Sequence, residues 1–508
     1  MSEDRFWVDR AADEILGRGV ARPVVCTGIS PSGPFHVGHL REIITGDALA
    51  RALRERGAEA RLVFVVDNLD PLRRVYPFLD RQRYEPLVGR SLCELPAPEG
   101  SGTYDRFFLD PFLRALERLG VAAEVLPASE LYASGRMDEV VLAALDATPA
   151  LRRILSEVSG KTPGEDWSPW NPRCPECRRL DAGTVLGHDR AAATVHSRCR
   201  ACGREAVQPV RGGGKLTWRV DWPARWKALG VTAEPFGKDH ASRGGSWDSG
   251  RRIAREVFGF DPPFPVVYEW IGLGGAGDMS SSKGNVLGVA ELVEVVPPEV
   301  LRYFVLRSRP SRRITFDPGE PLLRLVDEVD EAVARSTADR ALHFSLTGSY
   351  RPAGVPFRHL VLVAQVAGFD RERTLELLRR GGYEAADPEA VGERIAMARR
   401  WLDLFAPEEA RVAFPERLPP AARELSAEER RFLARLADAL AELEEPDEIH
   451  RTIRDLAAQP GGPGVRNGFR AIYRALLGRD AGPRAGTYIA LVGPKKVAER
   501  LREASATS

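Results

Sequence analysis

The sequence predicts a doubly wound α/β domain on a parallel sheet, with an inserted cysteine-bearing ribbon and a following α-helical domain. Three observations predict it: a strand–helix–strand unit near the start, two Cys-x-x-Cys pairs in a stretch without helix or strand periodicity, and helical periodicity almost without strands beyond about residue 350. At 508 residues the chain exceeds what one hydrophobic core supports, so about three or four domains are expected.

"RPVVCTGI" (22–29) reads as a strand, and Leu40, Ile43, Ile44, Ala48 and Ala52 follow at helical spacing until Gly57 supplies a stop. "RLVFVVD" (61–67) is a second buried strand, and the right-handed crossover between the two implies a parallel sheet. The segment 107–119, apolar at Phe108, Phe112, Leu116 and Leu119, continues the alternation with "AAEVL" (122–126), and "FPVVYEWIG" (264–272) looks like a late strand of the same sheet. From about 160 to 215 Trp, Pro, Gly and the cysteine pairs replace this pattern, which reads as an insertion. Helical stretches such as "LSAEERRFLARLADALAELEE" (425–445) then carry charges on their outer faces. The expected division is an α/β domain over 1–290 interrupted at 165–212, a connecting region over 291–348 and a helical domain over 349–508.

Composition excludes several classes. No apolar stretch approaches the ~20 residues that span a bilayer, and the N-terminal "MSEDRFWVDRAADEI" has neither a basic start nor an apolar signal core, so a cytoplasmic protein is expected. With 73 basic against 72 acidic residues, any RNA binding must use local patches.

Four of the six cysteines occur as "CPEC" (Cys174, Cys177) and "CRAC" (Cys199, Cys202), 21 residues apart. Two such knuckles converge four thiolates on one tetrahedral Zn2+, a closed and therefore structural site. The alternatives are buried reduced thiols or a ribbon without metal. Cys26 and Cys93 lack partners at metal spacing and are expected in the core.

Ligands of open parallel sheets sit at the carboxyl ends of the strands, and "TGISPSGPFHVGH" (27–39) lies there. Gly28, Ser30 and Gly33 let backbone approach a ligand, the helix starting near Gly38 aims its free N–H groups at the same place, and His36 and His39 both reach a phosphoryl group there. A lone His-x-x-His is equally compatible with an incidental pair or part of a metal site. Further on, "GLGGAG" (272–277) matches a dinucleotide fingerprint but leads into the serine loop "GDMSSSKGN" (277–285), so it reads as a hinge. "GGGK" (212–215) lacks Walker spacing and reads as a loop closing the ribbon.

"HVGH" and "GDMSSSKGN" together resemble the HIGH and KMSKS sequences of class I aminoacyl-tRNA synthetases. Over "DNLDPLRR" (67–74), residues 216–258, "PPEVLRYFVLRSRPSRRITFD" (297–317) and the terminal "YIALVGPKKVAERL" the chain is similar to the class I lysyl-tRNA synthetases. The resemblance implies a Rossmann-like catalytic domain, a stem-contact connecting region and an anticodon-binding helical domain. It also implies formation of lysyl-adenylate from lysine and ATP, transfer to the terminal adenosine of tRNA(Lys), and activation that itself needs tRNA. A monomer is the expected assembly.

In such a reaction the lysine carboxylate is the nucleophile, so the protein contributes positioning and charge stabilisation. The resemblance assigns catalysis to His36, His39 and Lys283, and ATP contacts to these with Ser30, Gly38, Gly237, Asp239, Met279, Ser280 and Ser282. Gly237 allows close approach, and Asp239 holds ribose hydroxyls or an ammonium, or caps a turn. Asp67 and Asp70 are candidates for a substrate ammonium, with helix capping as the rival role, and Glu42 and Glu269 are further acidic candidates. Trp218 and Tyr268 are candidates to wall the lysine stem, with Gly28, Ser30 and His240 completing the substrate set. Asp278 stands where the family's loop often begins with lysine and Ser281 holds its middle position; Asp278 is a candidate either to screen Lys283 or to coordinate Mg2+. Two other functions are considered: a paralogue charging a different acceptor, which the helical C-terminal third argues against, and a non-catalytic RNA-binding protein, which the intact HVGH argues against.

Overall fold

The computed structural model describes residues 5–274, 277–278, 287–348 and 350–506. The chain forms two compact units: one of Met1–Val293, Pro297–Phe316 and Ala338–Tyr350, the other of Glu294–Val296, Asp317–Thr337 and Arg351–Ser508.

The first unit is built on five parallel strands: β1 (Val24–Ile29), β2 (Arg61–Val66), β3 (Glu124–Pro127), β4 (Ala233–Gly237) and β5 (Phe264–Tyr268). Their spatial order is β5-β4-β1-β2-β3, so strand order reverses between β1 and β4 and a crevice opens at their carboxyl ends. The expected strands at 22–29, 61–67 and 122–126 fall in this sheet, and β4, ending in the glycine of "GKDH", joins them; the expected strand at 264–272 divides, with Phe264–Tyr268 in this sheet and Ile271–Leu273 in a second one.

Helix α1 (Trp7–Leu16) precedes the sheet, and α2 (Val37–Glu55) connects β1 to β2. The apolar face of α2, with Leu40, Ile43, Ile44, Ala48 and Ala52, is fully buried, and Gly57 at φ 83° provides the left-handed turn that ends the crossover. Helix α3 (Tyr104–Arg118) leads to β3, α4 (Trp218–Leu229) to β4, and α5 (Ser246–Glu256) to β5. Three helices over 128–159, Ala128–Ala133, Asp138–Asp146 and Thr148–Ser159, lie between β3 and the ribbon.

The ribbon is an antiparallel sheet of Gly183–Asp189, Thr194–Cys199 and Glu205–Pro209. "GGGK" is not a ribbon-closing loop throughout: Gly214–Leu216 is a strand paired with Trp170–Pro172, and it buries Lys215. The "GLGGAG" hinge begins as a strand, Ile271–Leu273, which pairs in parallel with Ile314–Phe316 and antiparallel with Gly277–Asp278.

The second unit is helical. One core of it gathers Leu433 and Leu436 of the helix Ala427–Ala439, Ile449 and Ile453 of Pro446–Ala458, Ile472 of Val465–Leu477 and Leu501 of Pro494–Ala506. The helix within 425–445 starts at a capping box, Ser426 with Glu429, which satisfies donors at its exposed end.

Candidate active site

At the carboxyl end of β1, residues 30–36 run into α2, and the two histidines cap that helix reciprocally. His36 Nδ1 accepts the N–H of Gly38 at 3.1 Å, while His39 Nδ1 accepts the N–H of His36 at 3.0 Å. Because each Nδ1 accepts, each neutral ring carries its proton on Nε2, as a donor. Burial pulls His36 down to about 4 and His39 well below the ordinary 6.5, so both are uncharged near neutral pH. The rings lie 4.0 Å apart, and Phe35 stacks on Phe112 at 4.2 Å beneath them.

Gly38 makes room for the His36 ring. A Cβ there would stand 2.7 Å from Cε1 and 2.8 Å from Nδ1 of His36, so glycine is what lets the imidazole fold back over the helix end. Leu287, following 279–286, accepts the N–H of Val37 at 3.0 Å, and Gly288 bridges to His36. Met279, Ser280, Ser281, Ser282 and Lys283 lie outside the described residues; Asp278 is described only as part of a strand.

Beneath this edge a cavity of about 40 Å3 is lined by Gly28, Glu42, Trp218, Trp222, Glu234 and His240 among others. That volume admits a group the size of water or ammonium. Glu42, on α2, accepts the N–H of Gly28 and the hydroxyl of Tyr268, both at 2.6 Å, yet burial still raises its carboxyl to about 8. Glu234 on β4 is raised by burial to about 7 although the indoles of Trp222 and Trp226 donate to it. Trp218 stacks on Trp222 at 5.4 Å, and His240 meets both rings. Trp218 thus lines the cavity, whereas Tyr268 reaches it only by its hydrogen bond to Glu42.

The other candidates divide. Asp67 and Asp70, expected to hold a substrate ammonium, face the chain's own cations: Lys215 Nζ donates to Asp67 at 3.0 Å and to Asp70, and Arg225 bridges Asp67 to Asp221. Burial alone would raise Asp67, but Arg225 and Lys215 hold it at about 2. An unpaired carboxylate at that depth would be costly, which is why these two are already partnered. Glu269 pairs with Lys238 at 2.7 Å, Ser30 reaches the carbonyl of Asp67 at 3.5 Å, and Asp239 stands beside Gly237 at the end of β4.

Sequence reasoning missed Lys215, Arg225 and Glu234. It also missed Arg41, buried on α2, whose guanidinium donates to the carbonyls of Val305 (2.9 Å), Arg309 (2.8 Å), Pro310 (3.0 Å) and Arg312 (3.0 Å). A cation amid the apolar Leu40–Ile44 run was the available signal. In the ribbon, Cys174 and Cys202 have their sulfurs 3.6 Å apart, as do Cys177 and Cys199, and all four lie within 4.8 Å of one another. A tetrahedron with Zn–S of about 2.3 Å needs sulfurs about 3.8 Å apart, so the four thiols fit a metal ion.

Residues 5–347 match the family of tRNA synthetases class I (K), and residues 406–505 match an anticodon binding domain. The chain is 44% identical to lysine–tRNA ligase 1 of Methanosarcina acetivorans over 98% of both chains. It is 44% identical to the lysine–tRNA ligase of Archaeoglobus fulgidus, over 98% of this chain and 99% of that one, and 38% identical to that of Thermoplasma acidophilum over 98% of both.

Proposed function

The chain belongs to the class I (K) tRNA synthetases, and from that membership we propose that it is a lysine–tRNA ligase acting on lysine, ATP and tRNA(Lys). One observation supports the chemistry above others: the reciprocal His36–His39 cap, which sets two uncharged rings with Nε2–H donors at the carboxyl edge of the sheet.

A lysine carboxylate oxygen attacks the α-phosphorus, the bond to the β,γ-phosphates breaks, and pyrophosphate leaves. Charge grows on the phosphoryl oxygens during this step, and preorganised donors that need no reorganisation stabilise it. The terminal 2′-hydroxyl of tRNA then attacks the adenylate carbonyl and AMP departs. Uncharged histidines suit both steps, since they donate hydrogen bonds without retaining the anionic products as tightly as a cation would.

The ammonium of lysine enters the cavity between Glu42 and Glu234, whose burial-raised carboxyls ionise more readily once a cation is beside them. Trp218 and Trp222 lie against its aliphatic stem, and His240 packs behind them. Gly237 and Asp239, at the end of β4, receive the ribose of ATP, Ser30 contacts the nucleotide, and Gly38 serves it by making room for the His36 ring, while Gly28 lines the lysine cavity. Met279, Ser280, Ser282 and Lys283 cover the triphosphate and its Mg2+, a role supported by the anchoring of Leu287 and Gly288 beside His36.

Cys174, Cys177, Cys199 and Cys202 hold Zn2+, which supplies structural closure of the ribbon rather than chemistry. Residues 291–348 contact the acceptor stem and 349–508 read the anticodon, in a cytoplasmic monomer. Charging with labelled lysine tests the assignment: tRNA with a lysine anticodon should accept lysine, tRNA with an altered anticodon should accept far less, and equal charging of both would refute the anticodon role.

A further inference from the structure

The segment 71–80 leaves the carboxyl edge of the sheet after β2 and carries Arg73, Arg74, Tyr76 and Phe78 in one short run. Its ends are fixed: the N–H of Leu72 donates to Arg90 at 2.8 Å, and Leu79 is buried. Between them Phe78 is 36% exposed, Tyr76 is half-buried and both arginines are exposed. Among the described residues no ion pair engages Arg73 or Arg74, whereas nearby Arg81 pairs with Glu85 and Arg106 with Asp110.

The rings form a continuous path to the histidine loop. Tyr76 stacks on Phe78 (5.6 Å, 20°), Phe78 meets Phe108 edge-on (5.7 Å, 74°), and Phe108 meets Tyr104 (5.0 Å, 65°). The Tyr104 hydroxyl then donates to the carbonyl of Ser32 at 2.7 Å, four residues before His36. At the outer end the Arg74 guanidinium lies 5.9 Å from the Tyr76 ring.

We propose that this strip binds the unpaired 3′ end of tRNA, with Tyr76 and Phe78 stacking on its bases and Arg73 and Arg74 meeting its phosphates, so that the terminal ribose is led to the histidine loop. The proposal rests on the ligase reading above. Stacking faces with interleaved cations hold single strands with little regard for sequence, and a base-paired stem hides the base faces that such rings need. Both halves of the requirement are met in one six-residue stretch, Arg73 to Phe78, that is already joined to the loop where transfer takes place.

The test compares the full chain's affinity for intact tRNA(Lys) with its affinity for the same tRNA lacking its last three nucleotides. Wild type should prefer the intact molecule about tenfold, and Tyr76→Ala/Phe78→Ala should lose that preference while binding the trimmed tRNA as wild type does. Tyr76→Phe/Phe78→Trp should restore it. Arg73→Ala/Arg74→Ala, which alters only exposed side chains, keeps the test decisive if the aromatic variant fails to fold: it should weaken intact binding and flatten its salt dependence, leaving trimmed binding nearly unchanged. Absence of a preference in wild type, or its full survival in both alanine variants, would overturn the proposal. If wild type charges lysine while the variants keep the preference, the strip alone falls; if wild type charges no lysine, the ligase reading falls.

Discussion

Lys215 and Asp67 lie 148 residues apart in sequence, and the ammonium of one donates to the carboxylate of the other at 3.0 Å in the interior. The pair ties the strand Gly214–Leu216, next to the ribbon, to the carboxyl end of β2, and Arg225 on α4 joins it. The cavity beneath the sheet edge is therefore lined on one side by an ion network that belongs to the chain.

Lys215→Met should cost about 3–5 kcal/mol of stability, because removing one partner of a buried pair leaves a carboxylate uncompensated. Denaturant unfolding of the full chain measures this. A loss below about 1 kcal/mol would mean that Arg225 alone suffices for Asp67 and that Asp70 finds water.

That network also shows where sequence reading stops. The β1–α2–β2 unit was legible because alternation, helical spacing and a glycine stop are local signals, and the histidines fell at the carboxyl edge for the same reason. The four cysteines were legible through their spacing. Lys215 was not: three glycines before it imitate a loop, and its strand exists only because Trp170–Pro172 returns to pair with it. Asp67 and Asp70 were noticed as acids, but the cations that neutralise them come from distant sequence. Glu234 lies in a strand whose five residues are all buried, and its two indole partners lie in a helix with little amphipathic contrast.

His36→Asp separates capping from catalysis. Aspartate is a good N-cap and accepts the Gly38 N–H, but an ionised carboxylate donates nothing to a phosphoryl oxygen. Thermal stability should stay near that of wild type while activation falls about 10²–10³-fold or more. Gly38→Ala should also slow activation, since its Cβ displaces the His36 ring. Normal activation in either variant would contradict the assignment.

The low imidazole values set a pH dependence. Burial pulls His36 to about 4 in the folded chain from near 6.5 in the unfolded one, and holds His39 well below its ordinary value. As pH falls through 6.5 the unfolded state takes up these protons first, so the stability they contribute is full above 6.5 and declines toward pH 4. Activation should show no limb from these residues between about pH 6 and 7.5. Histidine-selective 15N spectra that place either ring's midpoint near 6.5, or its proton on Nδ1, would refute the capping argument.

Metal analysis should find one zinc per chain. Chelation or Cys174→Ser/Cys199→Ser should loosen the ribbon without removing ATP binding, since the four thiols lie apart from the β1 loop in sequence and close only on one another. Less than a tenth of an equivalent in carefully purified protein would count against the zinc assignment.

Amino-acid-dependent exchange of pyrophosphate into ATP, run with each of the standard amino acids, with and without tRNA, tests the ligase assignment most directly. Exchange should appear with lysine and tRNA(Lys) present together and hardly with any other amino acid, and the lysine signal should be lost in His36→Ala and His39→Ala. Exchange driven equally by an amino acid without a cationic side chain, or undiminished lysine exchange in both histidine variants, would contradict that assignment.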